Sequence, residues 1–201
     1  MDERLTEKIK DAMGKPPEEA VANSRRHMAQ WFAQTAPLIQ WDVTDSPLGP
    51  LFIAASARGL CSLDFGVSQE DFVGQLDPMA QTERNPMALA PVTEQLHGYF
   101  EGTRTGFDLP IDLDRLTPFQ TSVLQAARLI QPGTTLTYGQ VAHAIGKPKA
   151  SRAVGQALGR NPVPIVIPCH RVVASDGSLG GYSGGGGVAS KRLLLALEGA
   201  V

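Results

Sequence analysis

The run from Ile165 to Val173 constrains the folding of this 201-residue chain more than any other segment. Its first three residues are apolar, and a short apolar run before a proline is typical of a buried strand. Cys169, His170 and Arg171 follow, so that a thiol lies beside an imidazole and a guanidinium. A neighbouring base and positive charge favour the thiolate, which is a strong nucleophile. From this run alone two interpretations stay open: a structural cysteine at the end of a core strand, or a catalytic nucleophile.

The charged residues divide the chain into an acidic and a basic part. Residues 1–114 carry 9 Lys or Arg and 18 Asp or Glu, a balance of −9. Residues 115–201 carry 9 Lys or Arg but only 2 acids, Asp176 and Glu198, a balance of +7. Such an asymmetry indicates that the basic part meets a polyanion, the alternative being chance segregation of surface charge.

Composition also argues against several classes of protein. No apolar run is long enough to span a membrane, and the charged start of the chain lacks the apolar segment of a secretory signal. Cys61 and Cys169 are too few for a disulfide framework. Because the cysteines and histidines lack the spacing of metal ligands, we expect no metal. We expect no cofactor either.

The pattern along the chain predicts an α+β fold in three parts. Residues 1–35 form an N-terminal extension, in which Val21, Met28, Trp31 and Phe32 predict an amphipathic helix over residues 18–34 that packs on the sheet. Residues 36–114 show period-two alternation and turn residues that predict a small antiparallel three-stranded sheet, followed by helices.

Residues 115–201 have the character of a mainly helical domain. Thr117 and Thr137 are each followed three residues later by glutamine, which is the pattern of a helix capping box. A short helix from Thr137, a turn containing Gly146 and a second helix over residues 149–160 together predict a helix-turn-helix. An ordinary helical hairpin is the alternative to this DNA-binding motif.

The stretch from Asn161 to Val173, with the sequence NPVPIVIPCHRVV, resembles the active-site signature of the O6-alkylguanine-DNA alkyltransferases. The resemblance extends over residues 39–198. It implies a repair protein that moves the alkyl group of O6-alkylguanine, and of O4-alkylthymine, irreversibly to its own cysteine, acting once per molecule. The implied partner is double-stranded DNA, from which the damaged base is flipped. The implied protein is monomeric, binds no membrane, and is cytoplasmic, associated with the nucleoid if the source is bacterial.

The resemblance also implies a set of catalytic residues. Cys169 is the expected nucleophile. A bridging water is expected to connect it to His170, and Glu198 is expected to fix the tautomer of the His170 imidazole. Without the resemblance, Glu198 would be interpreted as an exposed helix end. Asn161 is expected to brace the turn before the cysteine, and Tyr138 to protonate the departing guanine.

A further set of residues is expected to contact DNA or the flipped base. Arg152 would enter the duplex and fill the gap that the flipped nucleotide leaves, from a helix whose small residues allow close approach to the minor groove. Tight packing on a neighbouring helix is the alternative explanation of those small residues. The expected DNA contacts are, besides Arg152, Tyr138, Thr137, Ala150, Ser151, Ala153 and Gly155. The expected substrate pocket consists of Val172, Tyr182, Ser183, Gly184 and Pro164.

Two other functions compete with alkyl transfer. A non-catalytic damage binder of the alkyltransferase-like kind would have another residue in place of Cys169. A thiol hydrolase could use Cys169 and His170, but it would explain neither the helix-turn-helix nor the division of charge.

Overall fold

The computed structural model describes residues 18–201, and for residues 29–34 it describes the backbone alone. The chain divides after Pro37 into two compact units. Helix α1 (Glu18–Thr35) belongs to the first unit and covers the range predicted from the sequence. The predicted packing of Trp31 and Phe32 on the sheet lies outside the described side chains, and residues 1–17 lie outside the described chain.

The second unit begins with a four-stranded sheet in the order β3-β2-β1-β4. Its strands are β1 (Leu38–Thr44), β2 (Leu51–Ser56), β3 (Gly59–Phe65) and β4 (Gln81–Arg84). The antiparallel pairing of β1, β2 and β3 confirms the predicted three-stranded sheet. Strand β4, which pairs in parallel with β1, was not predicted.

Strand β4 escapes sequence analysis because its four residues are polar and largely exposed. Besides its pairing with β1, this strand makes an ion pair and a cation–π contact rather than apolar contacts. The Nε of Arg84 lies 3.0 Å from Oδ1 of Asp42, and its guanidinium lies 5.8 Å from the ring centre of Trp41. An edge strand of this kind therefore gives no apolar alternation to detect.

Six helices complete the second unit. They are α2 (Gln69–Gln75), α3 (Pro86–Phe100), α4 (Pro118–Arg128), α5 (Tyr138–Ala144), α6 (Ser151–Leu158) and α7 (Val188–Leu197). Both predicted capping boxes form, at Thr117 before α4 and at Thr137 before α5. The α5-turn-α6 pair occupies the place predicted for the helix-turn-helix. The α+β class is thus confirmed.

One apolar core connects the sheet to the helices. Ile53 of β2, Leu96 of α3, Val123 of α4 and Val154 of α6 all belong to it and are fully buried. On the other side of the sheet, Phe52 stacks on Phe72 of α2 at 5.3 Å between ring centres. None of the helices within residues 18–201 is long and apolar enough to cross a membrane.

The predicted strand over Ile165–Ile167 is wrong, although its burial is correct. The backbone turns sharply there, with Ile165 at a φ of 73°. Cys169–Arg171 then forms a single 3₁₀ turn before the two-residue strand β6 (Val172–Val173), which pairs in parallel with β5 (Leu136–Thr137). Pro162, Pro164 and Pro168 flank this run, and none of them can donate a hydrogen bond to a strand ladder. The side chain of Asn161 instead donates to the carbonyl of Ile167 at 2.8 Å and accepts from the backbone N–H of Val163 at 3.1 Å.

Candidate active site

Cys169 lies at the end of the apolar core, at the wall of a cleft of about 580 Å³. The residue is only 6% exposed. Burial raises the pKa of its thiol, because a thiolate is poorly solvated there. A hydrogen bond from the side chain of Asn161 and the positive charge of Lys191 act in the opposite direction. Burial therefore favours the protonated thiol, whereas Asn161 and Lys191 favour the thiolate.

His170 and Glu198 form the buried pair that the resemblance implies. The Nε2 of His170 lies 3.0 Å from Oε1 of Glu198, and both side chains are almost fully buried. Burial lowers the pKa of His170, which favours the neutral imidazole. A neutral ring that donates from Nε2 has its lone pair on Nδ1. Among the described residues, none hydrogen-bonds to this buried Nδ1, which leaves it available as a base.

Glu198 is held by more groups than the sequence predicts. Arg171 donates to both carboxylate oxygens, from Nη2 at 2.7 Å and from Nε at 2.8 Å. The hydroxyl of Tyr99, on helix α3, donates to Oε1 at 2.7 Å. Burial alone would raise the pKa of Glu198, but the hydrogen bonds from His170 and Arg171 outweigh it and lower the pKa to about 2. The interpretation of Glu198 as an exposed helix end is therefore wrong.

This low pKa makes a prediction about stability in acid. Above its ordinary pKa of 4.5, charged Glu198 contributes fully to the free energy of unfolding, and the contribution is lost as the pH falls toward the folded pKa of about 2. A shift of this size corresponds to about 3 kcal/mol. We expect Glu198→Gln to destabilise the protein at pH 7 and the difference from wild type to shrink between pH 4.5 and 2, as measured by urea unfolding.

The control for this prediction is Glu101→Gln. Glu101 also follows the last turn of a helix, α3, but it is exposed. We expect it to change stability little at any pH. A stability difference for Glu198→Gln that stayed constant between pH 4.5 and 2 would contradict the low pKa, and hence the negative charge, of buried Glu198.

Lys191 is a second buried cation that sequence analysis missed. Its ammonium donates to the carbonyl of Val172 at 2.6 Å and to the carbonyl of Leu179 at 2.5 Å, with that of Gly181 at 3.5 Å. The only sequence signal is its position three and seven residues before Leu194 and Glu198, which places all three on one helix face. Lys191 thus anchors the chain that follows β6 to helix α7.

The cleft brings together only part of the predicted substrate pocket. Its lining includes Tyr138, Arg152, Gly155, Cys169, Tyr182 and Ser183. The predicted pocket residues Val172, Gly184 and Pro164 are buried and do not line it. Pro164 lies in the closed turn that Asn161 braces, and the carbonyl of Val172 already accepts from Lys191.

The helix pair presents a smooth face beside the cleft. Arg152 and Ser151 are exposed on α6, whereas Val154, Ala157 and Leu158 turn into the core. A methyl group at Gly155 would lie 3.7 Å from the ring of Tyr138, so that the small residue brings α6 close to that ring.

The other predicted DNA contacts surround this face. Thr137 caps α5, and its hydroxyl accepts from the N–H of Gln140 at 3.2 Å. Ala150 precedes the first turn of α6, and Ala153 is half-buried within it. A second recess of about 400 Å³ adjoins this face, and Thr137, Ser151 and Ser175 are among its lining residues.

Within residues 18–201, no group of three His, Cys, Asp or Glu side chains is arranged to hold a metal ion. Burial raises the pKa of the second cysteine, Cys61, to about 11, and its thiol donates to the carbonyl of Ala54 at 3.4 Å. Cys61 is therefore held as an unreactive thiol, which leaves Cys169 as the candidate nucleophile.

Two family models match the chain in tandem. Residues 39–113 match the ribonuclease-like domain, and residues 118–200 the DNA-binding domain, of 6-O-methylguanine DNA methyltransferase. Together they cover most of the second unit.

Known relatives and solved structures agree with these models. A methylated-DNA–protein-cysteine methyltransferase of Mycolicibacterium paratuberculosis is 44% identical over 161 residues, which are 80% of this chain and 93% of the relative. A constitutive Bacillus subtilis protein of the same name is 41% identical over 145 residues, 72% of this chain and 86% of the relative. The crystal structure of Mycobacterium tuberculosis OGT in complex with DNA has a TM-score of 0.69 at 40% identity and covers 80% of this chain and 93% of its own. The chain belongs to the 6-O-methylguanine DNA methyltransferase family.

Proposed function

We propose that this protein repairs double-stranded DNA by moving the alkyl group of O6-alkylguanine to Cys169, once per molecule. The proposal rests on the buried thiol of Cys169, at a cleft beside the smooth face of α6. His170, the next residue in the chain, forms a buried pair with Glu198. The relatives named methylated-DNA–protein-cysteine methyltransferases, and a solved relative in complex with DNA, support it.

The chemistry begins with deprotonation of the thiol. The free Nδ1 of neutral His170 accepts the proton of Cys169 through a water molecule, while Glu198 holds the ring through Nε2. Asn161 and Lys191 stabilise the thiolate that forms.

The thiolate then attacks the alkyl carbon in line with the bond to O6. A carbon–sulfur bond forms as the carbon–oxygen bond breaks, and the electron pair stays on the guanine. Tyr138, which lines the cleft, supplies a proton to N3 of the departing base and regains one from solvent. The proton that His170 took from Cys169 passes to solvent, so that a neutral guanine and neutral side chains result. Because the product is a thioether with no easy leaving group, each molecule acts once.

Access to the base requires flipping, because the O6 atom lies inside the base stack. Exposed Arg152 is placed to fill the gap that the flipped base leaves, and the small residues Ala150, Ser151, Ala153 and Gly155 allow α6 to approach the minor groove. The minor groove carries a degenerate code, which suits repair in any sequence context. The same reaction extends to O4-alkylthymine. We expect the protein to be cytoplasmic, and associated with the nucleoid if the source is bacterial.

A duplex with a labelled methyl group on O6 of guanine tests the proposed function. We expect the label to move to the protein, to at most one group per molecule. Label that stayed on bound DNA would indicate a damage binder, and label released to solvent would indicate a hydrolase; either result would overturn the proposal.

A further inference from the structure

The outer wall of the Cys169 cleft rests on the sheet. We call residues 179–187 the cleft loop; within it, Tyr182 and Ser183 line the cleft. The ring of Tyr182 packs against the ring of Phe65, with 6.5 Å between ring centres. Phe65 is the last residue of β3 and is 1% exposed. A residue of the sheet therefore stands directly behind a wall of the substrate cleft.

The glycines of the cleft loop allow it to approach the sheet closely. A methyl group at Gly184 would lie 2.7 Å from the ring of Phe65 and 2.7 Å from the ring of Tyr182. A methyl group at Gly185 would overlap the carbonyl oxygen of Phe65. Gly184 and Gly185 thus form a packing contact with the end of β3.

The cleft loop is also fixed at both of its ends. Lys191 holds the carbonyls of Leu179 and Gly181 on one side of Tyr182. On the other side, the hydroxyl of Ser190 donates to the carbonyl of Gly185 at 2.5 Å. With the backbone held on both sides of Tyr182 and the ring of Phe65 packed against its ring, a larger substrate would press the two rings together.

We propose that Phe65 limits the size of the alkyl group that the cleft accepts, because it holds the ring of Tyr182 from behind. Phe65 does not line the cleft and acts through Tyr182, as a positioning residue. The inference rests on the proposed alkyl transfer and specifies its substrate class: small O6-alkyl groups are preferred over aromatic ones such as benzyl. Removing the ring of Phe65 creates space behind Tyr182 and relaxes that preference.

The test compares duplexes that carry O6-methylguanine or O6-benzylguanine, with wild type and Phe65→Leu. A pocket that differs by a few carbon atoms discriminates by roughly tenfold or more, so we expect the benzyl-to-methyl rate ratio to rise by about tenfold in Phe65→Leu. Phe72→Leu is the matched control, since Phe72 is equally buried but packs on the other side of the sheet. It should lower stability and leave the ratio unchanged. If Phe65→Leu does not fold, Phe65→Met, which fills irregular space with a flexible chain, takes its place.

An unchanged ratio in a folded Phe65 variant, with methyl transfer intact, would overturn this inference and leave the proposed function standing. An equal rise in Phe72→Leu would also overturn it, because the effect would then follow from loss of stability. Wild type that transferred neither group would overturn the proposed function first and this inference with it.

Discussion

Replacing Cys169 by serine is expected to abolish alkyl transfer and to leave the affinity for duplex DNA unchanged. An alkoxide is far harder to form near neutral pH than a thiolate, so we expect transfer to slow on the order of a thousandfold or more. Under the proposed function, DNA affinity depends on the face of α6 that carries Arg152, which this substitution leaves unchanged. Single-turnover assays and equilibrium binding to the same alkylated duplex measure the two properties.

Cys61→Ser is the matched control. Cys61 lies in β3, half-buried, and its raised pKa keeps it in the unreactive thiol form. We expect this variant to transfer at the wild-type rate. Transfer that survived in Cys169→Ser, or that disappeared in Cys61→Ser, would contradict the assignment of the nucleophile.

Replacing Arg152 by alanine is expected to slow repair of duplex DNA much more than reaction with a free O6-alkylguanine base. Only the duplex requires a base to leave the stack, which costs a few kcal/mol, so the loss in duplex is expected on the order of a hundredfold. The free base reaches the cleft without that cost and should react at nearly the wild-type rate. Rates of alkyl transfer from the two substrates, measured side by side, give the comparison.

Arg160→Ala controls for the loss of one positive charge. Arg160 is exposed just beyond the end of α6 and does not line the cleft. We expect it to weaken duplex binding modestly, and less so in high salt. It should leave the ratio of the transfer rates from duplex and free base unchanged. Equal slowing of duplex and free base by Arg152→Ala would assign Arg152 to the chemistry or to the fold instead.

Local sequence signals predicted the elements that local interactions decide. The capping boxes at Thr117 and Thr137 involve residues three apart, and both form as expected. The antiparallel strands β1 to β3 follow from alternation and turn residues. Strand β4 was missed because its pairing with β1 depends on distant partners, such as Asp42 for Arg84.

The residues of the candidate site likewise fall into those that the local sequence predicted and those that depend on distant partners. The signature around Cys169, together with Glu198, led to the buried pair with His170. The third donor on that carboxylate, Tyr99, is 99 residues away in sequence, and nothing in its neighbourhood distinguishes it from a core tyrosine. Lys191 was missed because lysine is almost never fully buried unless it is paired, and its partners are backbone carbonyls that a sequence does not reveal.

Under the proposed function, the alkyl group leaves DNA and stays on one cysteine. Mass spectrometry of the protein and of its proteolytic peptides, after incubation with excess O6-methylguanine duplex, tests it most directly. We expect a gain of a single methyl group, located on Cys169, that persists after the DNA is removed. A methyl group on any other residue, or repaired DNA in molar excess over an unmodified protein, would contradict it.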